Sequence, residues 1–179
     1  MEVNLESLPT SLGRPELVDV IEALVGNRDK YEPGTGASML DQVLPSNVRY
    51  PADYGFIPST ISTDGEPIDI VVAAYDPVFP GCLIRARILG ALDTAKSSGT
   101  EPNIFAVPHD DSRFEEMRSL EDMPDQILHD IENFFVAYMR LEGDEEAEVQ
   151  GWHGVEETYK IIREGSRAYQ EDRAYQPKD

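Results

Sequence analysis

Short apolar or alternating runs fill roughly the first two-thirds of the chain, and helical periodicity follows only afterwards. Leu17–Glu22 (LVDVIE) is apolar and β-branched enough to predict a strand. Gly26–Asn27 then punctuates a turn. From Tyr31 to Pro67 the chain is rich in Pro, Gly, Ser and Asp, with short apolar pieces at Ser38–Val43 and Tyr54–Ile57. That texture predicts short strands joined by long, functional loops. Ile68–Tyr75 is a fully apolar strand. Leu83–Leu92 alternates, with Arg85 and Arg87 on one face and Ile84, Ala86 and Ile88 on the other. Ile104–Val107 is a further short strand, and the polar text between residues 93 and 103 reads as a loop.

Two helices close the chain. Asp122 is placed to cap the first, with Met123 and Pro124 at its early positions. Ile127, Leu128, Ile131, Phe134, Phe135 and Tyr138 recur at helical spacing, and Gly143 is the expected stop. Val149 and Trp152 mark one more strand. Residues 154–173 form a second amphipathic helix with a stripe of Val155, Tyr159, Ile162 and Tyr169. Strands first and helices last define an α+β chain, most simply a small closed antiparallel β-barrel flanked by two C-terminal helices. No internal repeat or low-complexity linker divides it, so 1–179 reads as one domain. Its lead-in, 1–15, is irregular, and 174–179 is a tail.

Composition narrows the function. With 179 residues, 40% hydrophobic and 8% aromatic, the chain can bury a real core without metal or disulfide staples. Lys plus Arg is 15 and Asp plus Glu is 35, so the formal charge is 15 − 35 = −20. That excludes the basic face needed for nucleic acid or an anionic membrane. Cys82 is alone, so no internal disulfide forms. No apolar run approaches the ~18 residues of a membrane span. Residues 1–13 carry Glu2 and Glu6 and lack the layout of a signal peptide. The expectation is a soluble, cytoplasmic protein. Only four cations are lysines, namely Lys30, Lys96, Lys160 and Lys178. This surface suits a salty cytoplasm, or is simply a solvated acidic one.

Chemistry concentrates in Asp64-Gly65-Glu66-Pro67-Ile68-Asp69, three carboxylates in six residues before an apolar strand. Gly65 and Pro67 set a tight turn, so the carboxylates converge. Hard oxygen ligands of this kind suit Mg²⁺ or Mn²⁺, with water or phosphate completing the shell. The alternative is a solvated acidic turn. Glu22, Lys30, Tyr31 and Glu32 form a second group, and Tyr50-Pro51-Ala52-Asp53-Tyr54-Gly55-Phe56-Ile57 a third. The two tyrosines suit either phosphate hydrogen bonding or barrel packing.

Taken together, these segments resemble the soluble family I inorganic pyrophosphatases. Glu22 and Lys30-Tyr31-Glu32 match one family segment, Tyr50-Pro51 with Tyr54-Gly55 another, and Asp64 to Asp69 the signature at all but one fixed position. Pro80-Gly81, Ala106-Val107-Pro108, Phe134-Phe135 with Tyr138, and Gly151-Trp152 follow in order, so the likeness runs from about residue 16 to 170. It implies an OB-like barrel with two flanking helices. It also implies Mg²⁺-dependent hydrolysis of diphosphate to two orthophosphates by a metal-activated water. By resemblance, Asp64, Asp69 and Glu101 are metal ligands, and Glu22 and Glu32 are outer acidic residues on the same metals. Lys30, Tyr54 and Tyr138 are substrate-binding, with Lys30 and Tyr54 also in the catalytic set. Glu66 stands for the aspartate that orients and deprotonates the attacking water.

The chain departs from the family at several of these positions. Glu66 is one methylene longer than that aspartate, and Lys96 and Glu101 align with a pair of metal-binding aspartates. Gln42, Asn103 and Met139 replace an arginine and two lysines of the phosphate clamp, with Arg49 and Arg140 the nearby candidates to compensate. These changes imply reduced turnover. They leave open a pyrophosphatase-like binding protein or a hydrolase of another phosphoanhydride. The family commonly forms hexamers through the region 123–142. Here two interface histidines are Asn133 and Ala137, and homo-oligomerisation is expected through Phe134 and Tyr138. His109, His129 and His153 have no metal-ligand spacing and read as surface or structural residues.

Overall fold

The computed structural model describes residue 8 and residues 17–33, 38–76 and 78–175. Apart from Leu8, whose carbonyl accepts the Ser59 hydroxyl at 2.7 Å, the lead-in lies outside the described residues. So does the tail beyond Tyr175.

Eight strands precede or interleave with two helices: β1 Leu17–Ala23, β2 Asp29–Pro33, β3 Ser38–Val43, β4 Asp53–Ile57, β5 Ile68–Val72, β6 Leu83–Lys96, β7 Gly99–Pro108, α1 Asp125–Leu141, β8 Glu148–His153 and α2 Val155–Tyr175. They form one sheet in the order β3-β2-β1-β4-β5-β7-β6-β8. A further β1–β6 pairing joins β1, β4, β5, β7 and β6 in a ring, while the sheet as a whole stays open at β3 and β8. The α+β expectation holds. One pairing departs from it, because β5 and β7 run parallel, with Val71 opposite Phe105. The cause is topological. β6 and β7 are a hairpin, so β7 returns in the direction of β5.

The polar stretch from 93 to 103 is not a loop. β6 runs on to Lys96 and β7 starts at Gly99, with Thr94 opposite Glu101 and Lys96 opposite Gly99. Asp93, Thr94 and Ala95 also pair with β8 on their other side. Pairing on both edges makes a strand of residues whose own preference is weak.

One sheet face carries Tyr54, Val71, Phe105 and Val107 and, with Tyr50 from the segment before β4, packs against Ile131, Phe134, Phe135 and Met139 of α1. The other carries Ile21, Ile57, Ile70, Ile88 and Ile104 and receives Ile162 of α2. Gly165 permits that second contact. A Cβ there would fall 2.5 Å from Ile68 Cδ1, and Ile61 N–H donates to the Gly165 carbonyl at 3.0 Å. The helix thus accepts a residue of poor helical propensity to gain close approach to β5.

Two expectations about α1 are corrected. Its N-cap is Pro124, in extended backbone. Asp122 instead accepts the N–H groups of Arg118 at 2.8 Å and Ser119 at 2.9 Å, around the 3₁₀ turn Leu120–Asp122. The residue before a proline avoids the helical region, so Met123 stays extended, Pro124 follows it, and the helix starts two residues later than expected. Phe134 and Tyr138, expected to be free for a subunit contact, are only 6% and 8% exposed and belong to the core of this chain. Gly143, at φ +95°, ends the helix as expected.

Candidate active site

An open cleft of about 450 Å³ gathers residues from six strands, one turn and a helix end. β1 supplies Glu22, β2 Lys30 and Glu32, β3 Asp41, β4 Tyr54 and Phe56, and β5 Asp69. The turn before β5 supplies Asp64, Glu66 and Pro67, β6 its last residue Lys96, and the end of α1 Tyr138 and Glu142. Every site residue expected from sequence lines this cleft except Glu101. Asp41 and Glu142 were not anticipated. Glu142 was legible in principle, since it lies one helical turn beyond Tyr138. Asp41 carried no signal beyond its place in a short strand.

The acidic turn is built locally. Gly65 takes φ +91°, a conformation that side chains disfavour. Asp64 Oδ1 accepts the Glu66 N–H at 3.0 Å, and the Ser62 N–H donates to the Glu66 carbonyl at 2.7 Å. Asp64 and Glu66 are exposed on the rim, whereas Asp69 is half-buried opposite Phe56 of β4. None of the described side chains hydrogen-bonds the Glu66 carboxylate. It is held only by its backbone.

Deeper in, charge is crowded. Lys30 Nζ lies 3.5 Å from Glu22 Oε2 and 5.5 Å from the Tyr54 ring centroid. The Tyr54 hydroxyl bonds the Asp69 carboxylate. Burial pushes Glu22 up to about 7; Lys30 opposes this, while Asp69 and Asp41 add to it. Burial likewise pushes Asp69 up to about 6 against the Tyr54 hydrogen bond and the Lys30 charge. Burial first, then Asp69, hold the Tyr54 phenol well above its usual range. Seven carboxylates line the cleft (Glu22, Glu32, Asp41, Asp64, Glu66, Asp69 and Glu142) against two ammonium groups, Lys30 and Lys96. Such a set is short of positive charge.

The opposite wall is different. Lys96 Nζ meets Glu101 Oε2 at 2.6 Å, so Glu101 turns to the lysine and does not line the cleft. Asn103 is buried, donating to Thr94 Oγ1 at 3.0 Å and the Leu92 carbonyl at 3.3 Å. Met139 is 1% exposed, inside the α1 core. Tyr138 donates its hydroxyl to Gln42 Oε1 at 3.1 Å. Arg49 donates to the Gly26 carbonyl at 3.0 Å, and neither it nor Arg140 lines the cleft. The histidines stand apart: His153 pairs with Asp93 at 2.7 Å and His129 with Glu132 at 3.1 Å.

The donor set fits a divalent cation of the Mg²⁺ type. Its groups are carboxylates, in excess, around a half-buried Asp69. Among the described residues no three potential ligand groups are gathered closely enough to hold a metal ion.

A small β-barrel with an open, oxygen-rich cleft at one end defines a site for a metal-assisted reaction on an anionic substrate. A family model described as inorganic pyrophosphatase matches residues 19–170. The inorganic pyrophosphatase of Haloferax volcanii is 38% identical over 177 residues, covering 95% of this chain and 98% of its own. That of Geobacillus stearothermophilus is 39% identical over 155 residues, covering 86% and 93%. The crystal structure of inorganic pyrophosphatase from Thermus thermophilus superposes with a TM-score of 0.86 at 34% identity, over 94% of this chain and 99% of that one. The chain belongs to the inorganic pyrophosphatase family, with its OB-like fold and its requirement for a divalent metal. Among the described residues no helix is long and apolar enough to cross a membrane.

Proposed function

We propose that this protein is a Mg²⁺-dependent inorganic diphosphatase of reduced turnover. The observation that supports this reading is the convergence of Asp64, Asp69, Glu22, Glu32, Lys30, Tyr54 and Tyr138 on one cleft. Asp69 and Asp64 would hold the metal, with Glu22 and Glu32 behind them. When bound, the ion supplies charge neutralisation and Lewis acidity to the phosphate oxygens. Lys30 and the Tyr54 and Tyr138 hydroxyls bind and orient the diphosphate by charge and by hydrogen bonds. Glu66 orients the attacking water and takes its proton as the new P–O bond forms. The bridging P–O bond breaks, and two orthophosphates leave.

Turnover is reduced because Glu66 carries an extra methylene and is not held by any described side chain. A general base must lie within hydrogen-bond reach of the water, and a misplacement of about 1 Å costs ~10²-fold. Gln42, Asn103 and Met139 add no positive charge for a highly anionic substrate. Mn²⁺ suits the same oxygen ligands. The Mg²⁺ requirement and the diphosphate substrate are tested by orthophosphate release from diphosphate, with Mg²⁺ supplied and then chelated. Release that stops on chelation is expected. Release unaffected by chelation would overturn the metal assignment, and none under any condition would favour a binding protein on the same barrel.

A further inference from the structure

Lys96 stands out in a cleft otherwise crowded with carboxylates. It is the last residue of β6, and the hairpin register sets its side chain on the same face as Glu101 of β7, two positions from Asn103. Its ammonium lies 2.6 Å from Glu101 Oε2, and its side chain is 26% exposed against 13% for Glu101. Lys96 shares the cleft with Asp69 of β5 and Glu142 at the end of α1, while Glu101 comes from β7, so one ammonium faces carboxylates of three separate elements.

The hairpin tip that carries Lys96 is itself tethered. Asp144 Oδ2 accepts both the backbone N–H of Ser97 at 2.7 Å and its hydroxyl at 3.0 Å. Lys96 is therefore a positioned charge and not a waving surface lysine. Tying carboxylates of several elements together is the task a divalent ion performs in an oxygen-ligand site. A tethered ammonium performs it with one charge, and no chelator removes it.

We infer that Lys96 is a built-in cation of this cleft: braced by Glu101, it fills a position that a further divalent ion would otherwise take, so the protein binds one ion fewer than the cleft's carboxylates would allow. This inference rests on the proposed metal-dependent reading of the cleft. It is also distinct from it, because it concerns the number of ions and not the reaction.

Calorimetric titration of the full chain with Mn²⁺, without substrate, tests it. Lys96→Gln frees Glu101 and should bind one more ion per chain than the wild type. Lys96→Arg, which keeps a cation, should match the wild type. Lys96→Gln combined with Glu101→Gln leaves no unpaired charge and should return to the wild-type number, which also guards against a single variant that folds poorly. An equal number in wild type and Lys96→Gln, or a gained ion that survives in the double variant, would overturn the inference while leaving the metal-dependent reading intact. Absence of binding in the wild type and all variants would overturn both.

Discussion

The two walls of the cleft teach different things about how a sequence makes a site. The wall formed by β1, β2, β4 and β5 presents its charges to the opening: Glu22, Lys30, Asp64, Glu66 and Asp69 all line it. The wall formed by the β6–β7 hairpin and α1 turns most of its side chains away. Glu101 goes to Lys96, Asn103 to Thr94, and Met139 into the core. The first wall holds buried carboxylates at a cost, seen in Glu22 pushed up to about 7 and Asp69 to about 6. The second has satisfied its polar groups internally. Unrelieved charge marks the wall that awaits a ligand, and relieved charge marks the wall that has become structure.

The largest expected effect breaks the first wall. Asp69→Asn removes the half-buried carboxylate and should lower diphosphate turnover by ~10²-fold or more. Steady-state phosphate release checks it, and calorimetry should show the loss of a Mg²⁺ site. Met139→Lys attacks the second wall. A charged end forced into a site 1% exposed should cost about 2–3 kcal/mol, even with its stem packed among apolar neighbours. The melting temperature would then fall by ~4–12 °C, with no gain in turnover. A gain would show that residue 139 reaches the cleft.

Glu66→Asp is a smaller test, in the opposite direction. Shortening the unheld carboxylate by one methylene should raise turnover roughly tenfold. A fall would mean that the turn is set around glutamate. The smallest effect is global. With a formal charge of −20, repulsion at low ionic strength should relax on adding KCl, raising the melting temperature by several degrees. A flat response would remove the salt-adapted reading of the surface.

Much of the first wall was legible in the sequence, because it is written in short contiguous segments. Asp64 to Asp69 forms its own turn through Gly65 and an Asx contact, so local residues set local geometry. The second wall was not legible, for two reasons. Residues 93–103 look like a loop, and only pairing with β7 on one edge and β8 on the other makes Lys96, Glu101 and Asn103 share a face. Met139 lies next to a site residue in the chain, but a helix turns neighbours about 100° apart, and that rotation carries it into the core. Phe134, one turn before Tyr138 and on the same face, packs against Tyr50 and Tyr138 inside the chain, where a subunit contact was expected. Strand pairing and helix phase are settled by tertiary packing, which motif spacing does not record.

The central claim is that the acidic wall carries the chemistry, while the hairpin–helix wall, Lys96, Tyr138 and Glu142 apart, carries structure. Diphosphate hydrolysis per folded molecule, compared in Asp69→Asn and Met139→Lys under saturating Mg²⁺, tests it most directly. The account predicts that Asp69→Asn loses ~10²-fold or more in rate while melting close to the wild type. Met139→Lys should melt lower yet stay within about tenfold of the wild-type rate, a difference of ~1.4 kcal/mol in activation free energy. The reverse order, with Asp69→Asn active and Met139→Lys changed mainly in rate, would contradict the division between the walls.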